Sequence, residues 1–116
     1  MSESTSKNVP MQNKIIYSPK ALHDLDAIWD YIESELCNPI AAQHIVDGIT
    51  NSVDVLASFP ESGTKLVFDN NLDSGYRYVI FQNYLVFYRL RQTHIIYVDR
   101  VIYRGRDYMR LLFLES

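Results

Sequence analysis

The side chains able to do chemistry crowd one end of this 116-residue sequence. All seven arginines and seven of the nine tyrosines fall between Gly75 and Phe113. An arginine fork grips a phosphate or carboxylate, and a tyrosine ring stacks on a base or donates its hydroxyl proton. That set fits three kinds of chemistry: contact with nucleic acid, charge stabilisation at a reacting phosphate, or docking of an acidic partner. Arg104, Arg106 and Arg110 sit past the last strand, where they can reach a partner.

Charge divides the same way. Residues 1–75 carry four lysines against eleven acids, a net of −7, and residues 76–116 carry seven arginines against three acids, a net of +4. The basic half is a footprint for nucleic acid or an acidic protein. The whole chain, at −3, is acidic, which weighs against binding nucleic acid mainly by charge.

Other chemistries find little support. Asp24, Asp26, Asp30, Glu33 and Glu35 form a carboxylate cluster, but helical spacing puts most of them on a solvated face. His23 and His94 lack Cys or His partners at metal spacing, and His44 reads as a half-buried packing residue, so no metal is expected. Neither a glycine-rich phosphate loop nor a nucleophile elbow occurs. The one cysteine, Cys37, excludes an internal disulfide and fits a reducing compartment, so a cytoplasmic location is expected. No apolar run is long enough to span a membrane.

The elements that must position the arginines follow from periodicity. Residues 1–12 read as a polar, disordered extension, and 13–116 as a single domain. Asn13 to Tyr17 is β-branched and predicts a strand. Ser18-Pro19 and Asn38-Pro39 each place a capping residue before a proline at the first helical position. After the first come Leu22, Leu25, Ile28, Trp29, Ile32 and Leu36, and after the second Ala42, Ile45, Val46, Ile49, Val53 and Leu56. Both are apolar faces at spacings of three and four, and only two residues separate them, which predicts an αα-hairpin. Gly48, inside the second, marks close packing. Phe59-Pro60-Glu61-Ser62-Gly63 is a turn, and Lys65 to Phe68 a short extended piece.

Three strands then run from Gly75 to Arg104. A two-residue turn at Gln82-Asn83 pairs Phe81 with Tyr84, Val79 with Val86 and Arg77 with Tyr88 on one face. The other face carries Ile80 with Leu85, Tyr78 with Phe87 and Tyr76 with Arg89. Both faces are greasy. One must cover the helices. Tyr76, Tyr78, Ile80, Leu85 and Phe87, on the other, offer a partner an apolar groove unless the tail from Tyr108 to Leu114 folds back over them. Arg77 and Arg100 read first as structural, stacking on rings or pairing with Asp99 or Asp107.

The order of these motifs resembles a known family. Tyr-Ser-Pro-Lys-Ala-Leu-His-Asp-Leu-Asp-Ala-Ile-Trp-Asp-Tyr-Ile, then Phe-Pro-Glu-Ser-Gly, Gly-Tyr-Arg, Asn-Tyr-Leu-Val-Phe-Tyr-Arg and Asp-Arg-Val-Ile-Tyr-Arg-Gly-Arg-Asp are similar to RelE/ParE toxins of bacterial type II toxin–antitoxin systems, which include plasmid stabilisation proteins. The resemblance covers Asn13 to about Phe113. It implies an α+β fold, with an N-terminal strand and αα-hairpin packed on a twisted antiparallel β-sheet. It implies a cognate antitoxin as partner, operator DNA reached only through that antitoxin, and no cofactor. The target it implies is DNA gyrase or the ribosome with its mRNA.

The mRNA-cleaving branch carries cations on the exposed face of the middle strands. Here those positions hold Tyr76, Tyr78, Ile80 and Leu85, and none is charged. Only Arg106 or Arg104, in the closing motif, has a counterpart, which makes these two the catalytic candidates. Phe113 stands where that branch often has tyrosine. The resemblance therefore points to a ParE-like growth inhibitor that binds a target such as gyrase through Arg104, Arg106 and Arg110. The alternatives are a ribosome-dependent mRNA endonuclease with a divergent catalytic set, and a non-toxic antitoxin-binding module. In each, Tyr76, Tyr78, Ile80, Leu85 and Phe87 are the expected antitoxin groove.

Overall fold

A computed structural model describes residues 13–92 and 94–114; the expected extension, 1–12, lies outside the described residues. Strand β1 (Lys14–Tyr17) leads into helix α1 (Pro19–Leu36), then helix α2 (Pro39–Asp54) and a single 3-10 turn (Val55–Ala57). Strands β2 (Thr64–Val67), β3 (Asp73–Phe81), β4 (Tyr84–Arg91) and β5 (Ile95–Tyr103) follow, and helix α3 (Tyr108–Phe113) closes the chain. The five strands form one sheet in the order β1-β5-β4-β3-β2. The strands from β2 to β5 are antiparallel neighbours, and β1 joins β5 in parallel. A parallel pair needs a long crossover, and here it comprises both helices and three strands.

Both helix starts use the expected chemistry. Ser18 Oγ accepts from the Ala21 N–H, and Asn38 Oδ1 from the N–H groups of Ile40 and Ala41. Ser18 has a second duty: its N–H donates to the Val98 carbonyl and its hydroxyl to that of Asp99, so the cap is stitched to β5. Cys37 ends α1 in the left-handed region (φ 48°) and starts the tight hairpin.

The main core lies between the helices and one sheet face. Ala21, Leu25, Ile28 and Ile32 of α1 and Ala42, Ile49 and Val53 of α2 meet Val86, Tyr88, Ile96, Val98 and Val101. Leu22 and Leu36, expected on the same stripe, are exposed, and Ala21 takes the inward place. His44 is exposed rather than half-buried. Gly48 does mark a close approach, but to the sheet: a Cβ there would overlap the Phe81 ring.

The β3–β4 register is as the two-residue turn dictates, from Phe81 opposite Tyr84 to Arg77 opposite Tyr88. Gln82 adopts φ 52° to close it. Between β4 and β5 the register slips once, at Phe87/Tyr88, so Asp99 is the extra residue of a bulge. The turn at residues 60–63 is pinned from the sheet. Tyr88 Oη donates to the Pro60 carbonyl at 2.8 Å and accepts from the Gly63 N–H at 3.0 Å. Arg77 Nη1 reaches the carbonyls of Glu61 and Gly63.

Candidate functional site

The second sheet face is closed by α3. Leu66, Leu85, Phe87, Ile102 and Leu111 form a separate buried cluster, flanked by Tyr76, Tyr78, Tyr108 and Met109. Tyr108 lies 5.3 Å from the Phe87 ring, and Phe113 packs on Tyr76 and Phe68 at 5.5 and 5.1 Å. A six-residue helix has no stability of its own in water, so this docking is what holds it. Burying Leu85 and Phe87 contributes about 1.5–3 kcal/mol each. The expectation of an open apolar groove is therefore corrected: Tyr76, Tyr78, Leu85 and Phe87 share a face, but the tail folds back over them, and Ile80 alone of the five is exposed.

At one margin of that face a polar cluster absorbs arginines. The Arg89 guanidinium sits 5.2 Å from the Tyr76 ring and 5.7 Å from Tyr97. Its Nε is 3.1 Å from Asp99 Oδ2 but off line for a hydrogen bond, so charge and the 3.4 Å Nη2–Oδ1 contact hold the pair. Burial, then a hydrogen bond to Asp99, pushes the Tyr76 hydroxyl up to about 12. Arg91 lies 4.5 Å over Tyr97. Arg77 and Arg100 are structural, though with other partners than Asp99 or Asp107. Arg77 binds the two turn carbonyls, and Arg100 forms a two-pronged pair with Asp24. Asp24 was expected to be solvated; instead it is largely buried and also accepts from the Val101 N–H.

The turn after β5 presents the remaining cations. The Arg104 N–H donates to the Asn83 carbonyl, and the Arg106 N–H to that of Tyr103. Gly105 lets the turn lie on the Tyr103 ring, 2.6 Å from where a Cβ would be. Arg104 and Arg106 are exposed, and their side chains form no ion pair among the described residues. Asp107 caps α3 by accepting from the Arg110 N–H, and its carboxylate is 4.0 Å from Arg110 Nε. All three target-binding candidates are thus exposed, Arg104 and Arg106 at this corner and Arg110 further on, in α3.

Beside this corner a cleft of about 460 Å³ opens between α1 and β5, lined by Asp24, Tyr31, Tyr84, Tyr103 and Arg106 among others. Both Asp24 oxygens are occupied, so no lining carboxylate is free to move a proton. Burial and the neighbouring Tyr31 and Tyr103 raise the Tyr84 hydroxyl, which makes it a donor and not a base. Among the described residues, the corner offers the exposed cations Arg104 and Arg106, and the one carboxylate lining the cleft is already paired. No group of three or more metal-ligating side chains occurs among the described residues. Sequence reasoning missed this cleft. Its signal was the cross-strand pair Tyr84 and Tyr103, placed by register.

The sequence matches the family described as the ParE toxin of the type II toxin–antitoxin system parDE, over residues 15–108. No curated protein matches. Among solved structures, the chromosomal ParDE system of P. aeruginosa superimposes with TM-score 0.66 at 21% identity, covering 81% of this chain and 98% of that one. The RelBE2 toxin–antitoxin complex of Mycobacterium tuberculosis does so with TM-score 0.54 at 18% identity, covering 80% and 99%. At these identities the superpositions speak for the fold; the match over residues 15–108 speaks for descent, and the chain belongs to the ParE toxin family of type II toxin–antitoxin systems.

Proposed function

We propose that this chain arrests growth by binding a target such as DNA gyrase, without cutting RNA, and that a cognate antitoxin neutralises it. One observation carries the reading: the sheet face that would have to steady a scissile phosphate is apolar and already covered. Tyr76, Tyr78, Ile80 and Leu85 bring no charge to it, and Leu85 is buried under α3. A phosphoryl transition state needs donors aimed at its developing charge, and on that face the one cation, Arg89, is held by Asp99 and the Tyr76 ring. Arg77, Arg89, Arg91 and Arg100 are engaged within the fold. Arg104, Arg106 and Arg110 are the target-binding residues in this reading. An antitoxin that uses the Tyr76–Phe87 face must first displace α3.

The test is gyrase supercoiling with purified protein in stoichiometric excess, alongside 5′-end mapping of mRNA minutes after induction. Loss of supercoiling or a trapped cleaved complex, with no new mRNA ends, is the expected result. New ends at codon spacing within translated frames would overturn it in favour of a ribosome-dependent endonuclease. Unimpeded growth without antitoxin would leave only a non-toxic binding module.

A further inference from the structure

The α1–β5 cleft is a better receptor than the covered sheet face. Tyr31 from α1, Tyr84 from β4 and Tyr103 from β5 line it together, and no hydrogen bond engages their hydroxyls among the described residues. Tyr84 and Tyr103 meet edge to face at 6.0 Å, and the Tyr31 and Tyr103 hydroxyls lie close enough to perturb that of Tyr84. Arg106 lines the same cleft, and its side chain forms no ion pair among the described residues. Three O–H donors and a guanidinium favour one kind of guest, an oxyanion. Ala27, Ile28, Val101 and Ile102 add apolar wall for a short stem.

The backbone points to what carries that oxyanion. β1 stops at Tyr17, opposite Val98, so the rest of β5 has no strand on that side. The Arg104 N–H bonds Asn83 across the hairpin, while the Val101 N–H turns the other way, to Asp24. Alternation then turns the Tyr103 N–H outward, beside the cleft. An outward strand N–H is a docking point for extended peptide. Nucleic acid fits less well. Asp26, Asp30, Glu33 and Glu35 are exposed along α1 and oppose a chain of phosphates, while one carboxylate can be matched by Arg106.

We propose that an extended segment of the antitoxin lies along the end of β5 and places one Asp or Glu carboxylate among Tyr31, Tyr84, Tyr103 and Arg106. This rests on the reading of the chain as an antitoxin-bound toxin. It adds a contact that leaves α3 in place.

The test is the affinity of full-length cognate antitoxin for the whole chain and for the triple variant Tyr31→Phe, Tyr84→Phe, Tyr103→Phe. The rings remain, so the thermal midpoint should hold, and affinity should fall at least tenfold. Gln scanning of the antitoxin's acids should find one whose loss has the same effect and adds nothing to the triple variant. Unchanged affinity in the triple variant overturns the proposal and leaves the toxin reading standing. Failure of the unaltered chain to bind any antitoxin overturns both. A single-stranded RNA 12-mer bound by the unaltered chain and not by the triple variant makes the cleft a nucleic-acid site, and overturns the proposal too.

Discussion

Asp24 and Arg100 hold each other by two bonds, Nε to Oδ2 at 2.7 Å and Nη2 to Oδ1 at 3.0 Å, with both side chains mostly buried. The pair ties α1 to β5, and the same carboxylate satisfies the Val101 N–H beyond the end of β1. Replacing Asp24 by Asn removes the negative charge at both of these contacts. Breaking such a pair costs about 3–5 kcal/mol, and the lower end applies because water still reaches the margin. Urea denaturation of Asp24→Asn should show that loss. Replacing both residues with apolar ones should cost less than the single change.

Much of the fold was legible. The β3–β4 register followed from a two-residue turn and period-two alternation, and it is present from Arg77 to Phe81. The helices followed from Ser18-Pro19 and Asn38-Pro39. Asp24 was not legible, because on helical spacing alone it belongs to the polar side, and its partner is 76 residues away. Nor was the cover over Phe87. A short apolar tail after Gly105 is equally consistent with an open groove or a closed one, and only the packing of Leu111 and Tyr108 decides it. The bulge at Asp99 left no local trace, and with it the pairing of Asp99 with Arg89 was hidden.

Tyr88→Phe isolates the lock on the 60–63 turn. The hydroxyl both donates to Pro60 and accepts from the buried Gly63 N–H. Losing it strands that N–H, a penalty of about 1–3 kcal/mol. Hydrogen exchange should localise the effect, with the Gly63 amide losing protection before the β4 amides do.

Leu111→Ala separates the two cores. Leu111 is buried against the Leu85–Phe87–Ile102 cluster, on the far side of the sheet from α1 and α2. Truncation should cost about 2–4 kcal/mol and free α3, because a helix this short depends on its docked face. Binding of a dye that reports exposed apolar surface should rise while far-ultraviolet circular dichroism changes little.

Alkaline titration has a defined sign. Burial, reinforced by the Asp54 charge, pushes the Tyr17 hydroxyl up to about 12, and Tyr76 rises to about 12 by burial and its bond to Asp99. Unfolded, both ionise near 10. Between those values the unfolded chain has released protons that the folded chain retains, so stability is full below pH 10 and falls as pH rises toward 12. Absorbance of tyrosinate should show these two among the last to titrate, and Tyr17→Phe should flatten the alkaline fall in the denaturation midpoint.

The corner arginines give the sharpest separation of function from stability. Arg104 and Arg106 are exposed, and their side chains form no ion pair among the described residues. The double change Arg104→Gln, Arg106→Gln should therefore alter stability by less than about 0.5 kcal/mol, the range for surface positions. On the proposed reading, growth arrest on induction should nevertheless be lost, since two of its three target-binding cations are gone. Arg77→Gln should do the reverse, weakening the fold through its two turn carbonyls. Arrest should then decline only as far as the folded population does. If the double variant still arrests growth at unaltered dose, the target is met elsewhere on the surface, and the exposed β3–β4 turn beside Ile80 becomes the next place to mutate.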